Sequence, residues 1–207
     1  MALDYERNLY SKKVKYIAGT DEAGRGCLLG PVVAAAVILP EGFTSDLIND
    51  SKKLTEKQRE RAFKLIEENA IAIGVAIIPP EKIDEINILE ASRLAMEIAL
   101  KNMNHEYDLV LTDCVKLYHE DKLQENLIKG DARSINIAAA SIIAKVTRDH
   151  ICYELDTKYP MYNIKKNKGY GTKDHLLALD EYGPVKGLHR FSYKPVKERL
   201  FPKITLF

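Results

Sequence analysis

The sequence predicts a mixed α/β fold in which helices cover a central sheet. Short apolar runs, too short to be helices and rich in β-branched residues, alternate with longer segments of helical periodicity. Acidic residues recur where the apolar runs stop, and acids at the ends of separate strands can converge on one edge of a sheet.

Size and composition bound the reading. A chain of 207 residues supports one sizeable core and a small appendage. With 46% hydrophobic and 29% charged residues, it reads as globular and soluble, not disordered. No apolar run is long enough to span a bilayer, and the charged stretch Met1 to Lys15 is not a signal peptide. Cys27, Cys114 and Cys152 are odd in number and lack metal-type spacing, which predicts reduced thiols in a cytoplasmic protein. The net charge of +1 hides an asymmetry. Residues 1–128 hold 16 basic against 22 acidic residues, and residues 129–207 hold 15 against 8. The basic C-terminal part suggests a polyanionic partner, and reads equally as a solvated lysine-rich surface.

The first strand is the run Tyr16-Ile17-Ala18-Gly19, which leads into Thr20 and the adjacent acids Asp21 and Glu22. Successive strand side chains face opposite ways, so the two carboxylates share one pocket only if the strand is ending or one also uses its backbone. Asp21 is the expected central metal ligand, with Glu22 on its flank. Gly24 and Gly26 let the backbone approach a ligand, and Arg25 between them suits a phosphate. Taken alone, the stretch also reads as an acidic loop and a turn.

Val32 to Leu39 is almost wholly apolar, as expected of a strand buried on both faces. Thr55 and Gln58 form a capping box for a helix over Glu56–Asn69. A strand over Ala70–Ile78 ends at Pro79-Pro80, and a helical stretch runs from Glu81 to near Met103. Leu109 to Thr112 is a short buried strand that delivers Asp113. Residues 114–128 read as loop and weak strand, with Gly130-Asp131 in a turn. Ile135 to Ile137 reads as a last short strand, and Ala138 to Tyr159 as a long helix stopped by Pro160. A basic loop, Lys165 to Gly171, precedes a helix capped by Thr172 that covers Lys173–Tyr182. The basic tail holds a further helical turn or two.

Asp21, Glu22, Asp113 and Asp131 together would repel one another unless divalent cations neutralise them. An all-oxygen set suits Mg²⁺ or Mn²⁺ and not zinc. Two such ions ~4 Å apart can activate water and stabilise a leaving alkoxide in phosphodiester cleavage. Singly, Asp113 and Asp131 also read as turn residues, and Asp108 and Asp121 compete for the place of Asp113. Asp149 reads as an ion-pair partner on the long helix, and His175 and His189 as structural. Lys52, Lys145, Arg148 and Tyr170 are candidate nucleic-acid contacts, since cations meet phosphate and tyrosine stacks on sugar or base.

Seven segments in order, GTDEAGRG (19–26), GPVVAAAVIL (30–39), DSKKL (50–54), KGDARS (129–134), AAASIIAKVTRD (138–149), KGYGTKDH (168–175) and HRFSY (189–193), resemble the type 2 ribonuclease H family, bacterial ribonuclease HII. The resemblance covers about residues 16 to 196. It implies a ribonuclease H-like mixed five-stranded sheet flanked by helices. Residues 1–160 would form the catalytic domain, with 161–207 a small helical, basic C-terminal region packed on it. It implies endonucleolytic, Mg²⁺- or Mn²⁺-dependent hydrolysis of the RNA strand of RNA–DNA hybrids, and a cut 5′ of single ribonucleotides in duplex DNA. Products would carry 5′-phosphate and 3′-hydroxyl.

Residue by residue, the resemblance puts the metal-binding, catalytic acids on Asp21, Glu22, Asp113 and Asp131. Gly24, Arg25 and Gly26 match the segment that reads the ribose 2′-hydroxyl, and Tyr170 matches the tyrosine that stacks on the next sugar. The family's third acid is often followed by glycine, and here Cys114 follows. With the motif starting near residue 16, the extra N-terminal domain of ribonuclease HIII is not expected. The alternatives carried forward are a DNA-junction nuclease of the same fold and a non-catalytic nucleic-acid-binding module. The apolar tail Ile204 to Phe207 is a candidate docking segment for a sliding clamp, or packs on its own domain. A monomer is the expected state.

Overall fold

The computed structural model describes residues 5–49, 51, 53–119 and 121–200. Lys52 and the tail 204–207 lie outside the described residues. Strand β2 (Val32–Ile38) is buried along its whole length, as its unbroken apolar run requires. Its alternation divides the interior in two. Ala34 and Ala36 belong to one core and Ala35 and Val37 to the other, so both faces of the sheet are covered. The alanines leave room for helices to approach closely.

β2 is flanked by β1 (Ile17–Ala23) and β3 (Ala72–Ile78), both antiparallel to it. β4 (Leu109–Asp113) runs parallel to β1, and β5 (Leu123–Leu127) runs parallel to β4. The five-stranded order is β3-β2-β1-β4-β5. β1 is therefore the central strand, and β4 ends beside it with the same sense. That arrangement brings the acids at the ends of β1 and β4 to one edge.

Helix α1 (Glu56–Asn69) carries the expected capping box: Thr55 accepts from the Gln58 N–H, and the Gln58 side chain accepts from the Thr55 N–H. The stretch read as one helix from Glu81 to Met103 is two, α2 (Pro80–Ile86) and α3 (Ile88–Asn102). Asn87 separates them. Its φ of 68° breaks the first helix, and its side chain accepts from the Leu89 and Glu90 N–H groups to start the second. Asparagine tolerates both roles.

The segment read as a strand over Ile135–Ile137 is instead the first turn of α4 (Ile135–Lys158), with Ser134 as its N-cap. Tertiary packing overrides the β propensity of those isoleucines. The start of α4 lies directly on Gly19, where an added Cβ would come within 2.3 Å of the Asn136 carbonyl carbon. The Asn136 side chain accepts the Leu39 N–H at 2.8 Å, tying α4 to the end of β2.

The C-terminal segments α5 (Ile164–Asn167), α6 (Lys173–Tyr182) and α7 (Lys194–Lys197) share a core with Leu28, Leu29 and Cys152. A directed chain of hydrogen bonds runs through it. The Val185 N–H donates to His189 Nδ1, and His175 Nδ1 lies 2.9 Å from the Tyr170 carbonyl, which can only accept. His189 Nε2 must therefore carry the proton shared with His175 Nε2, 3.4 Å away, and both rings are neutral. Burial agrees, pushing His175 down and His189 down to about 4, the latter helped by its neighbour. The structural reading of both histidines fits this chain. Among the described residues no helix is long and apolar enough to cross a membrane.

Candidate active site

The site forms where β1 runs out. By alternation, Asp21 faces α4, as Gly19 does. The Ser141 hydroxyl on α4 stands close enough to the Asp21 carboxyl to favour its charged form. Ser141 Oγ in turn lies 2.9 Å from Ser51 Oγ. Arg59 of α1 holds the Ser51 segment through its carbonyls, at 3.1 Å to Ser51 and 2.5 Å to Leu54.

Glu22 should face away from Asp21, yet both line one cleft of about 550 Å³. The strand stops at Ala23, and Gly24 turns the backbone with φ of 98°. Asp113, the last residue of β4, lines the same cleft, as do Gly24, Arg25, Gly26, Lys145 and Tyr170. Asp108 is engaged elsewhere, accepting the Lys15 and Tyr16 N–H groups just ahead of β1. Asp121 is exposed ahead of β5.

Asp131 sits in the 3-10 turn Gly130–Ala132 and is buried at 7% exposure. It is not among the residues lining the cleft. The turn is joined to the site through Gly130, whose N–H donates to Asp113 Oδ1 at 2.9 Å. Cys114, where glycine was the expected type, has φ of 58°, in the region a glycine enters at little cost. Its N–H and thiol both donate to the Leu127 carbonyl, at 3.0 and 3.4 Å, which holds the strained residue in place.

Electrostatics mark these acids out. Burial, then the charges of Glu22 and Asp113, hold the Asp21 carboxyl well above the usual carboxylate range against the Ser141 hydroxyl. Burial also raises Glu22, with Asp113 adding to it and the Arg25 guanidinium, 3.2 Å away, opposing it. The oxygen atom Glu22 Oε2 is buried with no hydrogen-bond partner. A buried, unpartnered carboxylate oxygen beside two further carboxyls fits a hard divalent cation. Among the described residues no three such side chains already stand in ligand geometry. Asp21, Glu22 and Asp113 would hold the cation, with Asp131 reached through the turn.

The cationic candidates divide. Lys145 lines the cleft and pairs with Asp149 at 2.6 Å; Arg59 approaches the same carboxylate at 3.8 Å. Asp149 is thus an ion-pair partner, as its helix position predicted. Arg148 is 1% exposed. Its guanidinium donates to the carbonyls of Leu29, Pro31 and Lys168 at 2.8–3.1 Å. It lies under Gly24, where a Cβ would come within 2.1 Å of its Nε. Arg148 therefore braces the glycine loop from below and does not face the cleft.

Several contributors escaped the sequence reading. Arg190, fully buried, donates to the Gly30 carbonyl and, with the Tyr193 hydroxyl, to the Arg25 carbonyl, the two contacts to Arg25 being 3.0 and 2.6 Å. Backbone bridges pair Cys27 with Tyr170 and Leu29 with His189. The glycine loop is thus built jointly with the C-terminal region. The HRFSY segment was the available signal for Arg190 and Tyr193, DSKKL for Ser51 and AAASIIAKVTRD for Ser141; Arg59 had no local signal of a role.

This sheet order, with strand-end acids converging beside a glycine–arginine loop, places the chain in the class of ribonuclease H-like folds with a candidate cation-binding hydrolase site. The family model described as Ribonuclease HII matches residues 18–196. The chain belongs to the ribonuclease HII family, and is a metal-dependent endoribonuclease acting on RNA-containing nucleic acid. It is 55% identical over 195 residues to a ribonuclease HII of Listeria monocytogenes, covering 94% of this chain and 74% of the relative. Among solved structures it is similar to ribonuclease H2 from Pyrococcus horikoshii, with a TM-score of 0.76 at 26% identity, covering 89% of this chain and 96% of that one. It is also similar to the ribonuclease HII of Archaeoglobus fulgidus solved as a complex with PCNA, with a TM-score of 0.69 at 27% identity, covering 86% and 95%.

Proposed function

We propose that the chain hydrolyses the RNA strand of RNA–DNA hybrids and cuts on the 5′ side of single ribonucleotides in duplex DNA, leaving 5′-phosphate and 3′-hydroxyl ends. The observation that carries this is the shared cleft. Asp21, Glu22 and Asp113 line it together with the Gly24-Arg25-Gly26 loop and Tyr170. Acids alone would repel a phosphodiester, so their company with a sugar-reading loop favours hydrolysis over passive binding.

Mg²⁺ or Mn²⁺, two ions when bound, supplies water activation and stabilisation of the leaving 3′-oxygen. Asp21, Glu22, Asp113 and Asp131 are the residues that would hold it. The Gly24–Gly26 backbone, braced by Arg148, Arg190 and Tyr193, presents its polar groups to the 2′-hydroxyl, the one group that separates RNA from DNA at a single nucleotide. Tyr170, 46% exposed and close to Gly26, stacks on the next sugar. Lys145 offers positive charge at the cleft wall. Lys52, in the DSKKL segment that leads into α1, is a further phosphate contact.

The test is cleavage of a DNA duplex holding one ribonucleotide, with Mg²⁺ and then with chelator, against an all-DNA duplex. One metal-dependent cut 5′ of the ribonucleotide is expected; binding with no cleavage of any substrate would return the binding-module alternative. Loss of stacking costs about 1–3 kcal/mol. Tyr170→Ala should therefore slow that cut about tenfold, and cleavage inside a long hybrid much less. Equal losses on both substrates would remove the junction role.

We also propose a sliding clamp as partner, through residues 204–207. The support is the PCNA complex of the Archaeoglobus fulgidus relative and the apolar tail. Deleting these four residues should abolish clamp capture and leave cleavage of a short duplex unchanged. Capture that survives the deletion would refute the tail's role.

A further inference from the structure

Among the described residues ahead of the family match, which begins at residue 18, Glu6 is the deeply buried acid. Glu6 is 3% exposed and lies in the 3-10 turn Tyr5–Asn8. Its carboxyl accepts from the Ser134 hydroxyl, from the Asn136 N–H at 3.0 Å and from the Ile135 N–H at 3.4 Å. These are N-terminal donors of α4 and its cap. A carboxylate there satisfies N–H groups the helix cannot use itself and sits at the favourable end of its dipole. Ser134 accepts the Ile137 N–H in the usual way, so Glu6 caps the cap.

Residue 5 grips the same turn. The Tyr5 N–H donates to the Arg133 carbonyl at 3.3 Å, the Arg133 guanidinium lies 4.8 Å over the Tyr5 ring, and the Tyr5 hydroxyl donates to Glu125 on β5 at 2.8 Å. The turn 130–134 is closed on itself by Arg133 and Ser134 N–H bonds to the Gly130 carbonyl. It carries Asp131, and through the Gly130 N–H it reaches Asp113. Tyr5, Leu9, Tyr10 and Val14 pack on the core under β4 and β5, so the N-terminal segment is anchored by apolar contact as well.

We propose that Glu6 is a positioning residue for the metal-binding acids: acting through Ser134, it fixes the 130–134 turn and so the placement of Asp131 and Asp113. The proposal rests on the reading of Asp131 as a ligand. Partners that orient ligand side chains typically change metal affinity by about 10–100-fold when removed. Glu6→Ala is therefore expected to weaken Mn²⁺ binding to the protein alone, measured calorimetrically, by about tenfold. It should lower kcat at fixed Mn²⁺ and leave KM for the duplex unchanged. Glu6→Gln keeps an acceptor oxygen and should recover most of the affinity. Ser134→Ala, which breaks the relay at its middle, should act like Glu6→Ala.

Ala178→Gly, a destabilising change in α6 far from the turn, is the control for stability loss. The proposal falls if Ala178→Gly, at matched loss of melting temperature, weakens Mn²⁺ binding as much as Glu6→Ala. It also falls if Glu6→Ala and Ser134→Ala leave Mn²⁺ binding intact while Asp131→Asn weakens it. If Asp131→Asn has no effect either, the ligand reading of Asp131 fails, and the positioning role fails with it.

Discussion

Asp21→Asn is expected to lower turnover on the order of 10³-fold and, at the same time, to raise the melting temperature of the protein in chelator. The two effects share a cause. Asp21 is buried against Glu22 and Asp113, and its carboxyl is held well above the usual range. A carboxyl raised on folding binds its proton more tightly in the folded than in the unfolded chain. Stability is therefore greatest below the unfolded carboxylate value, near ~3.9, and falls as pH rises through the folded one. At neutral pH a buried charge is a cost that the amide does not carry. Relief of about 1–2 kcal/mol corresponds to a melting temperature higher by roughly 2–8 °C for a chain of this size.

Thermal melts of both proteins in chelator at pH 4 and pH 8 check the sign: the gap should open toward pH 8. Saturating Mn²⁺ should reverse the order, since an ion that binds only the folded state stabilises by mass action. A variant no more stable than the parent at pH 8 would show that Asp21 is not strained by its neighbours.

Gly19→Ala is the second large effect. The new methyl would lie 2.3 Å from the Asn136 carbonyl carbon and 2.4 Å from the Ile137 nitrogen. Both are backbone atoms at the start of α4, so no side-chain rotation relieves the clash. The helix must lift from β1, at a cost of about 3 kcal/mol or more. The melting temperature should drop by roughly 6–12 °C. The same lift separates Ser141 from Asp21, so activity below the melting transition should fall as well. Equilibrium unfolding together with rates at low temperature separates the two losses. A stability change under 1 kcal/mol would mean that the β1–α4 contact is looser than the structure has it.

What could be read from the chain beforehand was local. The Thr55–Gln58 box, the apolar run of β2 and the acids that follow β1 and β4 each announce themselves within a few residues. The failures have local causes too. Ile135 to Ile137 carries strand-like residues, and only the Ser134 cap hints at a helix. Asn87 reads as a helix interior until its positive φ is seen. The support around the acids is non-local and carries no spacing signal: Glu6 acts across 128 residues to Ser134, and Ser51 across 90 to Ser141. Arg148 shows the complementary error, since a cation in a basic helix looks like a phosphate contact until its burial is known.

The grip of Arg190 and Tyr193 on Arg25 has a consequence for the growing chain. The glycine loop is laid down early, but the carbonyls of Arg25 and of nearby Gly30 find their buried donor, Arg190, only 165 and 160 positions later. Until then those acceptors must remain wet or mispaired. The five strands and the four acids all precede residue 132, ahead of this brace in chain order. A chain halted before residue 190 would thus carry the acids without the Arg190 brace on the Arg25 and Gly30 carbonyls.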